Sequence, residues 1–398
     1  PPPPAKITSL LHSLLNLRFS HPFVAVAFYT MILPTLLLAG LLMFFTASLH
    51  AQQRVDEREL QNWADRGDAD AQFELGVRQI TGEGMEKNPK AGASWIEKAA
   101  KQKHRQAMHV LGTLYQDGLG VKKDLAKAHE WYEKGASVGF AISQHALGIL
   151  YETGEGVTKD AAKAAEWFKK AAEQGHAQSQ TAYASKLETG GGVAKSTAKA
   201  ALWYLKAAQQ GYILAMSRIA NLYYTGQGVP VDFRRAKAWY QRAATSEDPW
   251  ASNNLAWFLA TCPDENQHNG ELAVQLARRA LKLVTEMAQE EEQPYEMIDT
   301  MAAALARNGE YKEAELWQKR SLALLVEDKE VTPEDRKKLE TEFNTRLKLY
   351  QKKTPFAEPE AEGEEGAEPL PQDTILQEQG IPETPKKAPK KPNRGTVV

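Results

Sequence analysis

The 398 residues exceed the ~100–200 of one domain, so several domains or one elongated repeat array is expected. Lys and Arg number 49 against 51 Asp and Glu, a formal charge of −2 without the basic excess that a nucleic-acid binder uses to displace counterions. The single cysteine, Cys262, can form neither an internal disulfide nor a thiolate zinc cluster, so packing alone must hold the fold.

Residues 1–22 read as a short N-terminal segment. From Phe23 to Ala47 follows an apolar run, and no Lys, Arg, Asp or Glu occurs between Arg18 and Arg54. A bilayer takes ~20 apolar residues, so 23–47 is expected to be a transmembrane helix, in which Pro34 is tolerated. Lys6 and Arg18 precede the run with no acid, whereas Arg54 and Arg58 alternate with Asp56, Glu57 and Glu59 after it. That bias predicts a cytoplasmic 1–22, and the expectation is a single-pass inner-membrane protein of a Gram-negative bacterium with its soluble region in the periplasm. The competing reading is a signal peptide cleaved near Ser48–Ala51; the run exceeds the ~7–15 residues of a signal core, which favours an uncleaved anchor.

Self-similarity dominates the next stretch. Trp95, Trp131, Trp167, Trp203 and Trp239 lie 36 residues apart, as do Gly82, Gly118, Gly154, Gly190 and Gly226. A second glycine follows each, at Gly84, Gly120, Gly156, Gly192 and Gly228. Such a period marks stacked supersecondary units. Ala107, Leu111 and Tyr115 share one face of a first helix, which Gly118 and Gly120 end; Ala128, Trp131, Tyr132 and Ala136 share a face of the second. The tryptophan column is expected in the core. Asn88, Asp124, Asp160, Ser196 and Asp232 stand just before each second helix, and each is a good N-cap worth about 1 kcal/mol.

The LGxxY, GxGV and KAxxWYxKAA elements resemble the Sel1-like repeat family, relatives of tetratricopeptide repeats. In this chain they are carried by Leu147-Gly148, Tyr151, Gly154–Val157, Lys163-Ala164, Trp167-Phe168 and Lys170–Ala172. The first unit departs at Gln79 and Met85, the fourth at Tyr183 and Leu187. The resemblance implies an all-α, right-handed superhelical solenoid of helix-turn-helix repeats, with five repeats across 52–246. Asn253–Leu283 resembles a degenerate repeat and Met301–Leu325 a tetratricopeptide unit, and Asp335–Gln351 suits a capping helix, so 247–352 is read as a degenerate extension. Residues 353–398 turn from acidic and Pro-rich to basic (Lys386–Arg394) and are expected to be disordered.

Several chemical motifs yield to structural readings. Gly190–Thr197 lacks the glycine that a Walker loop places before Lys-Ser/Thr, and Ser196 falls in the cap column. Asp264, Asn266 and His268 miss the calcium-loop spacing. His109 and His145 align one period apart, but Thr181 and Ser217 continue the column, so both read as surface histidines. Cys262 has no repeating histidine partner. No catalytic residue, cofactor or metal ligand is assigned.

Family resemblance implies that the first helices line a concave side where partners bind. Its columns are His109, His145, Thr181 and Ser217; Thr113, Ile149, Ser185 and Asn221; and Gln116, Glu152, Glu188 and Tyr224. These mixed polar columns suit a peptide or protein better than a small molecule. The expectation is a membrane-anchored scaffold or adaptor of the cell envelope, binding other envelope proteins and no nucleic acid. A regulatory subunit of one envelope enzyme, sensor or secretion or motility complex is the alternative, and a cell-wall hydrolase a remote one.

Overall fold

The computed structural model describes residues 57–288, 294–370 and 373–378. The segments 1–22 and 23–47 and the basic stretch 386–394 lie outside them. Among the described residues no helix is long and apolar enough to cross a membrane.

Every regular element among those residues is helical, in a repeat solenoid that parts into two compact units between Gln102 and Lys103. The first unit contains α1 (Glu57–Asp65) and the hairpin α2 (Ala69–Thr81) and α3 (Pro89–Lys101). Four hairpins open the second unit: α4 (Arg105–Asp117) with α5 (Leu125–Ser137), α6 (Ala141–Thr153) with α7 (Ala161–Glu173), α8 (Ala177–Thr189) with α9 (Thr197–Gln209), and α10 (Ile213–Thr225) with α11 (Phe233–Ala243). Then come α12 (Pro249–Thr261), a 3-10 turn at Glu265–Gln267, α13 (Gly270–Ala288), α14 (Tyr295–Arg307), α15 (Tyr311–Glu327), α16 (Pro333–Gln351) and the short α17 (Ile375–Glu378).

The N-cap column works as its chemistry dictates. Asn88, Asp124, Asp160, Ser196 and Asp232 each accept a hydrogen bond from a backbone amide two or three residues on. Each first helix ends on a left-handed glycine, from Gly82 at φ 82° to Gly226 at φ 71°. The second glycine is also fixed by contact: a Cβ on Gly192 would lie 2.1 Å from the Ala161 carbonyl oxygen, and one on Gly228 2.3 Å from the Thr197 carbonyl carbon. The loops at Gly156, Gly192 and Gly228 are therefore pressed onto the start of the preceding second helix, which only glycine permits.

Of the tryptophan column only Trp239 is fully buried in the core. Trp95, Trp131, Trp167 and Trp203 are half-buried, and the lysine one turn on stands over each ring, at 3.4, 4.0, 4.1 and 4.3 Å. The residue that enters the hairpin is the next one: Ile96, Tyr132, Phe168, Tyr204 and Tyr240 are buried. Tyr132 fills the space that Gly112 leaves and Phe168 that of Gly148, where a Cβ would meet the ring at 2.6 and 2.4 Å. A buried glutamine column adds polar registration: Gln72, Gln144 and Gln180 each donate to a backbone carbonyl, of Ala64, Ala136 and Ala172.

The expected disorder of the tail gives way over residues 353–370 and 373–378. Leu370, Ile375 and Leu376 are buried in the same core as Trp239, and Phe356 packs on it. The backbone amides of Glu358 and Glu364 donate to the carbonyls of Thr261 and Gly226. The acids of this stretch also find partners: Glu364 accepts from the Gly228 amide (2.9 Å) and the Thr197 hydroxyl (2.8 Å), Asp373 from the Trp239 indole (3.2 Å), and Glu378 from Arg242 (2.6 Å).

Candidate functional site

The three expected columns lie on α4, α6, α8 and α10, and much of their chemistry is spent inside the molecule. The Tyr132 hydroxyl donates to Gln116 (2.8 Å) and lies 3.1 Å from the Thr113 hydroxyl. Glu152 pairs with Lys186, and Glu188 accepts from the Tyr204 hydroxyl at 2.7 Å. Tyr224 is a packing residue, its ring centroid 5.6 Å from Phe233 and 5.8 Å from Phe258.

The histidines are not surface groups. His109 packs its ring 5.3 Å from that of Tyr132, and its Nδ1 is buried without a hydrogen-bond partner. His145 Nδ1 and His176 Nδ1 both lie 2.8 Å from the Ser179 hydroxyl oxygen. One hydroxyl carries one proton, so one ring accepts it and the other must donate. Burial lowers all three imidazole pKa values, that of His145 to about 4, with neighbouring His176 adding to the effect on the other two. All three are neutral at pH 7.

What remains open on this face is Ile149, Ser185 and Asn221, with Ser217 half-exposed. Exposed Ile142, Leu214 and Trp250 form a further column of the same period. Between α6, α8 and α10, a cleft of about 270 Å³ is lined by His145, Thr181, Ser185, Leu214 and Arg218 among others. One period beyond Ser217 and Asn221, the columns continue onto α12 as Asn253 and Trp257, which enter a second cleft of about 350 Å³ with residues of α14 and α16 and with Glu358.

That second cleft holds a buried ion pair. Arg346 bonds Asp299 through Nε–Oδ1 and Nη2–Oδ2, both 3.0 Å, and Gln318 donates to the same carboxylate at 2.7 Å. The guanidinium is ringed by Trp257, Phe343 and Phe356 at 5.4, 4.9 and 5.3 Å. Burial drives the Asp299 carboxyl upward while Arg346 pulls it back. Extending the columns by one more period points to Asn253 and Trp257; Asp299, Arg346 and Glu358 lie outside the period, where repeat spacing carries no signal.

The other motifs settle into structure. Asp264 accepts from the side chains of Asn266 and Gln267, and Ser196 caps Lys199. Burial raises the Cys262 thiol to about 11, so it is protonated at neutral pH.

The hairpins, paired glycines and caps agree with the Sel1 repeat, whose family model matches residues 69–104, 105–140, 141–176, 177–212 and 213–248. Residues 69–248 are five Sel1 repeats. Solenoids of Sel1 repeats are protein-interaction scaffolds, generally without catalysis of their own. A protective antigen of uropathogenic Escherichia coli with an SLR fold is 24% identical, with 76% of each chain covered and a TM-score of 0.54. A Sel1 repeat protein from Oxalobacter formigenes is 29% identical over 57% of this chain and 87% of that one, with a TM-score of 0.48. No curated protein matches the chain. Asn253, Trp257 and the rest of the second cleft lie beyond the Sel1 repeats, on the helices that extend them.

Proposed function

We propose that this chain is a membrane-anchored interaction scaffold of the cell envelope, docking partner proteins along the first-helix face of its Sel1 repeats. The observation that carries the reading is the set of open residues on that face: Ile142, Ile149, Ser185, Leu214, Asn221 and Trp250 are exposed in phase with the repeat. Periodic side chains on a preorganised helical surface bind an extended partner with little ordering cost. The apolar run 23–47 supports anchoring, the charges around it support a periplasmic soluble region, and tethering raises the partners' effective concentration near the bilayer.

A photo-crosslinking residue placed at Ile149 or Asn221 in cells is expected to capture envelope proteins, whereas one at Lys169, exposed on the second helix α7, captures none. Equal capture from both faces overturns the docking face. Reporter fusions at the C-terminus test sidedness, and a cytoplasmic readout overturns the periplasmic assignment.

A further inference from the structure

The cleft that ends the open columns carries four carboxylates, Glu296, Asp299, Glu342 and Glu358, against one guanidinium. Arg346 is already committed to Asp299 by two hydrogen bonds. Among the described residues, no basic side chain makes a salt bridge with Glu296, Glu342 or Glu358. Burial pushes the Glu358 carboxyl above its ordinary range, while Arg346 and a side-chain hydrogen bond to Trp257 pull it part of the way back.

A second observation points the same way. Asn253 is 6% exposed and lines the cleft, and its Oδ1 is buried with no hydrogen-bond donor. A buried orphan acceptor costs free energy that a ligand N–H recovers. An anion would leave it orphaned and meet three like charges. An organic cation brings both the positive charge and the N–H donor that Asn253 Oδ1 lacks. About 350 Å³ is at the small end of ligand pockets, ~300–1,000 Å³, and suits one side chain.

We propose that this cleft receives an arginine or lysine side chain of the protein docked on the first-helix face. The inference rests on the docking reading and names the partner's chemistry: a chain lying along the Ile149–Asn221 column reaches Trp257 and drops a cationic side chain among Glu296, Glu342 and Glu358, its N–H groups satisfying Asn253.

The test uses the full chain and end-blocked tripeptides Ala-Arg-Ala, Ala-Lys-Ala, Ala-citrulline-Ala and Ala-Glu-Ala, titrated by calorimetry. The arginine or lysine peptide is expected to bind with a Kd on the order of 1 mM, at least about tenfold tighter than the uncharged citrulline peptide, and to weaken with salt as exposed charge pairs do. Because Glu296 and Glu342 are exposed, Glu296→Gln with Glu342→Gln leaves the fold intact, checked by an unchanged thermal transition, and should cut cationic-peptide binding about tenfold or more. Equal binding of the citrulline peptide, preference for the glutamate peptide, no binding at all, or indifference to the double substitution overturns the proposal. If the peptides fail while Ile149 and Asn221 still crosslink, the cationic pocket falls and the docking face stands. If the crosslinks fail while the peptides bind, the reverse holds.

Discussion

The second helices of repeats two to four and that of repeat five share one sequence phase and have different fates. On α5, α7 and α9 the indole is half-exposed under a lysine; on α11, Trp239 is 1% exposed, its N–H bonded to Asp373 and Arg242 paired with Glu378. The neighbour in phase shows why. Glu130, Glu166 and Leu202 are exposed where α11 has Ala238, which is buried. A small residue there opens room for α17, which packs on α11 of repeat five. The repeat period sets where an aromatic stands; what covers it is set by a segment more than a hundred residues away.

The largest test of that contrast compares Trp239→Ala with Trp131→Ala in urea unfolding. Trp239 is a fully packed side chain and should cost about 3–5 kcal/mol. Trp131 contributes a half-buried ring and an exposed cation contact, about 1 kcal/mol or less. Equal losses would show that the tail adds nothing to repeat five.

The first-helix column differs between the same regions, with His145 in repeat three where repeat five has Ser217. Burial, aided by His176, holds the His145 pKa near 4, so the unfolded chain takes up the proton first as pH falls from the ordinary value of 6.5. Stability contributed by the neutral ring is complete above pH 7 and is lost between about pH 6.5 and 4. At ~1.4 kcal/mol per pKa unit, discounted for partial exposure, the loss is on the order of 1–2 kcal/mol. His145→Gln should flatten that slope relative to the parent chain, while Ser217→Ala leaves it unchanged. An equal slope in His145→Gln would show that the ring titrates normally.

The hairpins, their glycine ends and the five caps were legible because each rests on local backbone chemistry repeated at one phase: Asp124 and Asp160 sit in different helices but do the same work within three residues. The period could not say which of two adjacent aromatics enters the core. The signal for that was the glycine facing Tyr132 and Phe168, together with the lysine placed to cover Trp131 and Trp167. Over 353–370 and 373–378 the expectation of disorder fails because composition averages over Phe356, Leu370, Ile375 and Leu376, four apolar anchors in an acidic, Pro-rich background. Their partners are distant in sequence, so no local pattern betrays them. The cleft was half legible: Asn253 and Trp257 continue columns already drawn, whereas Asp299 and Arg346 meet across 47 residues without any repeat to phase them.

The smallest effect expected on repeat five is that of its outermost tail contact. Arg242 and Glu378 lie 2.6 Å apart, but their side chains remain 34% and 48% exposed, so water and salt screen the pair. Glu378→Ala should cost about 0.2–1 kcal/mol, and the difference from the parent chain should vanish in about 1 M salt, where the screening length falls to ~3 Å. If the loss instead survives high salt and approaches that of Trp239→Ala, the tail is held by its charges and not by Leu370, Ile375 and Leu376. Acidic residues alone would then decide which repeat the tail selects, and Ala238 would lose its role in the contrast. The burial of those three aliphatic side chains beside a buried Trp239 argues that apolar contact holds the tail and that Glu378 only sets its register.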